Sequence, residues 1–218
     1  MVRQARSEAT RRRIITSAVH LFNEIGYDAT GLGDIIEHAE MTKGALYYHF
    51  DSKQSLANAI IEEGNANLLH AFNSISESSA PALERIIHGV FVAVDLLSTD
   101  RVARSGLHLL QALGESNSVA AQHYGAWIHN MTLGLREAIE EGDLRPDLDT
   151  RALGETLVGA VLGIEVLSSA MSSGADVSDR LTRMWELLLP VIVTDESLPY
   201  FRAFLARQSM RHSGQDSG

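Results

Sequence analysis

Apolar residues recur at helical spacing along this chain from one end to the other. Ile14, Ala18, Leu21, Phe22 and Ile25 fall at i, i+4, i+7, i+8 and i+11, one stripe of a first helix that Gly26 can end. A short second helix turns Ile35, Ile36 and Ala39 inward and Asp34, Glu37 and His38 outward. Thr42 has the chemistry of an N-cap for a third helix, whose inward residues are Leu46 and Phe50. Ser52 then caps a long fourth helix with the stripe Leu56, Ile60, Ile61, Gly64 and Leu68. Carried to about residue 74, it is roughly 33 Å long at 1.5 Å per residue.

S-E-S-S-A-P at 76–81 reads as a break, with Pro81 suited to a first helical position. Amphipathic helices follow at 82–97, 101–113 and 118–141, the last ended by G-D-L-R-P-D. Segment 150–172 is apolar on nearly every face, through Leu153, Leu157, Val158, Val161, Leu162, Ile164, Val166 and Leu167, so it has to be covered on two sides. Segment 178–193 is similar, and a terminal piece with Tyr200, Phe201, Phe204 and Leu205 packs back. No strand alternation or repeat interrupts this, so the fold class is all-α. Residues 1–53 form a three-helix domain with a helix-turn-helix, 54–210 a larger helical body, and 211–218 a disordered tail. Three short helices make a marginal core on their own, which assigns the fourth helix mechanically to both halves.

Composition narrows the function. With 45% hydrophobic residues a packed core is expected, and the absence of cysteine excludes disulfides and thiolate metal sites and fits a reducing cytoplasm. The longest uninterrupted apolar run is 187–193, short of a membrane span, and residues 1–6 lack an apolar signal core. An intracellular, cytoplasmic protein without a membrane partner is expected. The net charge of −10 first argues against nucleic acid, but its distribution reverses that argument. Residues 1–53 carry seven Lys/Arg and seven Asp/Glu, so the whole deficit falls after residue 53. The first thirteen residues hold five arginines (Arg3, Arg6, Arg11, Arg12, Arg13) against one glutamate, the asymmetry of a chain with one end turned toward phosphates.

The most informative segment is T-K-G-A-L-Y-Y-H-F-D-S-K at 42–53. It sets lysines, tyrosine hydroxyls and an imidazole on a short rod, the donor set a recognition helix offers to phosphates and base edges. Three turns cannot bury both Tyr47 and Tyr48, so at least one exposes its hydroxyl. Nothing comparable supports catalysis or metal binding. His123 and His129 are six apart and fall on different helix faces, no His pair has zinc-binding spacing, and no G-x-S-x-G occurs. We expect no enzyme activity, metal or cofactor. On the body, Trp127 lies four residues from both His123 and Met131. A large aromatic beside a thioether suits an apolar ligand pocket, or else is ordinary core. Leu107, Leu110 and Leu162 are candidate walls, and Gln111 and Glu165 candidate polar contacts. Small residues at Gly159, Ala160 and Gly163 let helices approach closely, either within the chain or across a two-fold interface between 150–172 and 178–193 of two copies.

Helix one, G-Y-D-A-T, L-G-D-I-I and M-T-K-G-A-L-Y-Y-H-F-D-S-K-Q-S-L together resemble the DNA-binding domain of the tetracycline-repressor (TetR) family of bacterial regulators, over residues 8–57. The resemblance implies a homodimeric repressor on a pseudo-palindromic double-stranded operator, released by a small-molecule effector. It implies that Thr42 and Lys53 hold phosphates, that Lys43 and Gly44 approach base edges, and that Tyr47 and His49 fix orientation on the backbone. Tyr48 can do either, and Thr30 is a further phosphate candidate. Three positions depart from the pattern: Gly31 and Gly33 replace hydroxyl residues, and Glu40 stands where the turn normally has glycine. R-S-G-L-H-L-L (104–110), Trp127, T-L-V-G-A-V-L-G (156–163) and R-M-W (183–185) are similar to the γ-butyrolactone-receptor branch, which implies a small hydrophobic effector against Trp127. The rival readings are a helical interaction module that binds no DNA, favoured by Gly31, Glu40 and the acidic body, and a regulator that acts as an activator.

Overall fold

The computed structural model describes residues 2–74, 79–114 and 118–213. Residues 75–78 of the expected break, the Arg3 side chain and residues 214–218 of the expected tail lie outside the described residues. The described residues form ten helices and no strand: α1 (Val2–Ile25), α2 (Leu32–His38), α3 (Lys43–His49), α4 (Lys53–Asn73), α5 (Ala82–Thr99), α6 (Arg101–Leu113), α7 (Ser118–Glu140), α8 (Thr150–Ser172), α9 (Val177–Ile192) and α10 (Leu198–Ser213). The all-α expectation holds, with the starts set by the capping chemistry the sequence carries. Thr42 Oγ1 accepts from the Ala45 N–H at 3.2 Å. Ser52 Oγ accepts from Ser55 N–H at 3.0 Å while Ser55 Oγ accepts from Ser52 N–H at 3.2 Å, a reciprocal box at the head of α4. Asp100 caps α6 through the N–H groups of Val102 and Ala103, and Asp149 caps α8 through those of Arg151 and Ala152.

Several details differ from expectation. α1 begins at Val2, so the basic arm is the first turns of a helix. Ile25, at the end of its stripe, points outward and is 51% exposed, because the chain turns at Gly26, whose φ is +86°. Pro81 stands one residue before α5, where its carbonyl accepts from the Arg85 N–H. α10 continues to Ser213, so residues 211–213, expected in the tail, are helical.

The chain divides into two compact units: Met1–Leu68 with Thr99–Ala121, and Leu69–Ser98 with Gln122–Gly218. The first is larger than the expected 1–53 domain because α4 as far as Leu68 and all of α6 belong to it. The reason is a close crossing of α4 and α6 at two glycines. A Cβ on Gly64 would lie 2.7 Å from the Val102 carbonyl oxygen, and one on Gly106 would lie 2.9 Å from that of Ile60. Polar bonds fix the register: Asn67 donates to the Asp100 carboxylate at 2.8 Å and Asn23 to Ser105 Oγ at 2.9 Å. Around this crossing Ile14 and Ala18 of α1, Ile35 of α2, Leu46 of α3 and Ile60 of α4 are all buried.

The second unit has its own core, built from Leu83, Ile87 and Phe91 of α5, Leu135 of α7, Leu157 of α8, Trp185 and Leu189 of α9, and Phe201 of α10. Arg145, in the α7–α8 connection, fastens the end of α9: its backbone N–H donates to Ile192 and its guanidinium to the carbonyls of Val193 and Pro190.

The α4–α6 crossing makes a prediction. Gly64→Ala forces a methyl into backbone, with no flexible side chain to yield, so it should destabilise the first unit by about 1–3 kcal/mol. The urea unfolding midpoint measures this; an unchanged midpoint would show that the two helices separate freely.

Candidate nucleic-acid interface and ligand-binding region

α3 is held along one side only. Leu46 and Phe50 are buried, whereas Thr42, Lys43, Gly44, Tyr47 and Tyr48 are exposed and His49 is half-buried. Both tyrosines reach solvent, Tyr47 at 45% and Tyr48 at 75% exposure. Lys43 Nζ lies 5.7 Å from the Tyr47 ring, one turn away, which limits where the ammonium swings. Tyr48 meets His49 edge-on at 5.0 Å. Gly44 has nothing within 4 Å of where a Cβ would be, so backbone at this point is open to close approach. The Thr42 hydroxyl accepts the cap bond and keeps its own proton to donate outward.

Two candidate residues sit differently from expectation. Thr30, a phosphate candidate, is 1% exposed and donates its hydroxyl to the Gly26 carbonyl at 2.7 Å. A side chain so placed cannot reach a phosphate; it closes the α1–α2 loop instead. Lys53 is turned inward as well. Its ammonium donates to the carbonyls of Tyr27 (2.9 Å), Thr30 (3.0 Å) and Asp28 (3.4 Å) and lies 4.3 Å from the Tyr27 ring centroid. The first residue of α4 thus clamps the loop that leads into α2. Burial, followed by the Asp28 carboxylate, raises the Tyr27 hydroxyl above its ordinary pKa.

The departures at Gly31 and Glu40 have local answers. Gly31 offers no capping side chain, but its N–H donates to the Asp34 carboxylate at 2.7 Å, the half of a capping box that the third helical residue supplies. Glu40 ends α2 in the left-handed region with φ +49°. Its N–H donates to Glu37 O and that of Met41 to Ile36 O, the paired bonds of a Schellman turn. A non-glycine residue there costs on the order of 1 kcal/mol. Its carboxylate meets Arg13 Nη2 at 3.1 Å. Arg11 pairs with Glu63 at 3.4 Å and stands 5.7 Å from the Phe50 ring, while Arg6 and Arg12 are exposed. The Asp34 cap could have been found from its place three residues after Gly31. The Lys53 carbonyl cradle and the Arg13–Glu40 pair leave no sequence signal, since both join elements far apart in the chain.

The seven expected effector residues do not fall in one unit. Leu107 and Leu110, both buried, and half-buried Gln111 belong to the first; Trp127, Met131, Leu162 and Glu165 belong to the second. In the second, Trp127 is half-buried and packs edge-to-face on Tyr124 at 5.5 Å, and Met131 joins the core. Burial raises the Tyr124 hydroxyl's pKa. α7 and α8 touch at Gly154, where a Cβ would stand 3.0 Å from Thr132 Oγ1. Leu162 and Glu165, farther along α8, are half-buried.

α8 and α9 each carry a second apolar face that the chain leaves open. Val166, Leu167 and Met171 of α8 and Leu187 and Val191 of α9 are exposed, Met171 at 71% and Leu187 at 76%. Gly159 and Gly163 have nothing within 4 Å of a Cβ position, so their smallness serves no contact within the described residues. Between the two helices runs an open groove of about 540 Å3 whose walls include Thr156, Ala160, Ile164, Met184 and Leu188. At one end Asp176 accepts from Ser168 and Ser172 at 2.6 Å each and from Arg180 at 2.7 Å, which holds its carboxyl well below the usual carboxylate range. By length and composition α8 could cross a bilayer, but it carries Arg151, Glu155 and Glu165 and one of its faces enters the core.

Residues 14–60 match the bacterial regulatory proteins of the tetR family, and residues 78–194 match the tetracyclin repressor-like C-terminal domain. The chain belongs to the TetR family. It is a DNA-binding transcriptional regulator whose helix-turn-helix is α2 and α3. Over 193 residues it is 30% identical to the A-factor receptor protein of Streptomyces griseus, spanning 88% of this chain and 67% of that one. The fold is similar to a crystal structure of a γ-butyrolactone receptor described as ArpA-like, with TM-score 0.80 and 30% identity over 94% of this chain and 99% of that one. It is similar too to CprB of Streptomyces coelicolor in complex with its biological operator sequence, with TM-score 0.76, 30% identity and coverage of 94% and 99%.

The Lys53 clamp is testable. Lys53→Met keeps the stem but removes the donor from three carbonyls, and should cost on the order of 2 kcal/mol. Thermal unfolding and amide exchange at Thr30, whose N–H bonds to Tyr27 O, should both register the loss; unchanged exchange there would show the loop holds itself.

Proposed function

We propose that this regulator is a homodimeric repressor whose two α3 helices enter successive major grooves of a pseudo-palindromic operator. It is released by a small hydrophobic effector of the γ-butyrolactone type. The observation that carries the DNA reading is the sidedness of α3: Leu46 and Phe50 are buried, and Thr42, Lys43, Gly44, Tyr47 and Tyr48 all face out. Lys43 and the open backbone at Gly44 address base edges; Thr42, Tyr47, Tyr48 and His49 fix the phosphates on either side. Lys53 and Thr30 act from within, by holding the α1–α2 loop. Two-fold symmetry places the half-sites about one helical turn, 34–36 Å, apart. Each phosphate neutralised should add about −0.9 to the slope of log affinity against log salt. An operator partner places the protein in the cytoplasm, at the nucleoid.

The open faces of α8 and α9, with Gly159 and Gly163 permitting close approach, support a four-helix dimer interface. The γ-butyrolactone receptor and A-factor receptor likenesses support the effector class, and Trp127 on Tyr124 supplies an aromatic wall of suitable chemistry. Release requires the effector to prefer the operator-incompetent arrangement by about 10⁴-fold, some 5.5 kcal/mol, if occupancy is to swing from 99:1 to 1:99.

Two experiments test this reading, once selection of bound fragments from genomic DNA has supplied an operator. Lys43→Ala with Tyr47→Ala should weaken operator binding on the order of a hundredfold or more, at about 1–3 kcal/mol per lost contact, while sedimentation still shows a dimer. Retained operator affinity in that variant would refute the assignment of α3. Trp127→Ala should abolish release by a γ-butyrolactone while leaving operator affinity intact; release at the wild-type ligand concentration would remove Trp127 from the pocket.

A further inference from the structure

Glu40 occupies the one place in the helix-turn-helix where the backbone asks for glycine. Its φ of +49° closes the Schellman turn at the end of α2, and a glycine would close the same turn without steric cost. What glutamate adds is a carboxylate. That group does not cap a helix; it reaches across to α1 and takes Arg13 Nη2 at 3.1 Å, with both side chains exposed. Its own turn lies two residues before Thr42 and three before Lys43, so the pair borders the cationic surface of α3.

We infer that Glu40 is a built-in counterion for Arg13, and that the pair acts as a brake on phosphate binding. Arg13 stands on α1 among Arg6, Arg11 and Arg12, and Arg11 is already drawn to Glu63. With Arg13 drawn to Glu40, two of these four guanidiniums are paired to carboxylates before any duplex arrives. An exposed ion pair is weakly held and exchanges readily. A DNA phosphate competes for Arg13 on similar terms, but the exchange leaves the Glu40 carboxylate unpaired beside a polyanion. Glu40 therefore lowers affinity without touching a base, and does so equally for every sequence. The pairing sets how tightly the protein holds DNA in general, while Lys43 and its neighbours set which DNA it holds.

The inference rests on the DNA-binding reading and is tested apart from it. Binding of the full-length wild type and of Glu40→Gln to an operator duplex and to an unrelated duplex is measured across a salt series. Glu40→Gln keeps the strained backbone and removes only the charge. It should raise affinity for both duplexes by the same factor, on the order of tenfold per dimer at low salt, and steepen the salt slope by about 0.9 per protomer as Arg13 turns to phosphate. In an Arg13→Ala background the same substitution should gain clearly less than in the wild type and leave the salt slope unsteepened. Glu40→Gly should match Glu40→Gln in DNA binding and add a higher melting midpoint from relief of the backbone. If Glu40→Gln gains nothing, or gains as much without Arg13, or if only Glu40→Gly gains, the counterion role is overturned. Wild-type affinity that survives Lys43→Ala with Tyr47→Ala would instead overturn the assignment of α3, and a wild type that binds neither duplex at low salt would overturn the DNA-binding reading itself.

Discussion

A seven-residue helix is far too short to persist in water on its own, because nucleation consumes more conformational entropy than so few hydrogen bonds return. α3 exists because Leu46 and Phe50 bury against the rest of the first unit, where α3 packs on both α1 and α2. That burial also orients it. With one apolar stripe fixed inward, the positions between must face solvent, and these are Thr42, Lys43, Gly44, Tyr47 and Tyr48. Recognition therefore depends on a packing constraint at residues that never meet DNA. The same constraint explains why the flanking turns are so fully bonded. Thr42 caps the start, the Schellman turn at Glu40 sets the entry angle, and the Ser52–Ser55 box restarts the chain as α4 immediately afterwards.

Most of the fold was legible because its elements are long, periodic and punctuated by capping residues. The expected spans of α6 and α8, about 101–113 and 150–172, agree with the observed ones, and the structure shows Asp100 and Asp149 capping their starts. What escaped the sequence is what depends on residues distant along the chain. Membership of α6 in the first unit rests on Gly64 meeting Gly106, and neither glycine announces the other. The face of α3 was readable from its period. The inward turn of Lys53 and the burial of Thr30 were not, because a lysine and a threonine at a helix start have the same local chemistry whether they face phosphate or carbonyl. The ligand-binding region was least legible, since hydrophobic residues line pockets and fill cores by the same rule. Met131 illustrates this: it lies one turn from Trp127 and belongs to the core.

α8 and α9 solve a different problem. Each is amphipathic toward the core and again toward the outside, so the second unit is satisfied internally and still exposes Val166, Leu167, Met171, Leu187 and Val191. That exposed apolar face is the surface on which the proposed dimer closes, and a two-fold pair matches the proposed palindromic operator. The Asp176–Arg180–Ser168–Ser172 knot fixes the turn between the two helices and thereby the angle at which those faces are presented.

The chain passes from the first unit to the second along α4, one unbroken helix with Lys53–Leu68 in the first and its remaining turn in the second. A helix rooted in a loose N-terminus would absorb a displacement there and transmit nothing. Lys53 prevents that. Its ammonium holds three carbonyls of the α1–α2 loop, so a shift at the head of α4 either breaks several charge-assisted bonds together or carries the loop, and α2 with it. α2 and α3 pack on one another and bury Ile35 and Leu46, so the loop that Lys53 holds leads directly into that packed pair. A residue that the family pattern marks for phosphate is thus, in this structure, bonded to the loop that leads into α2.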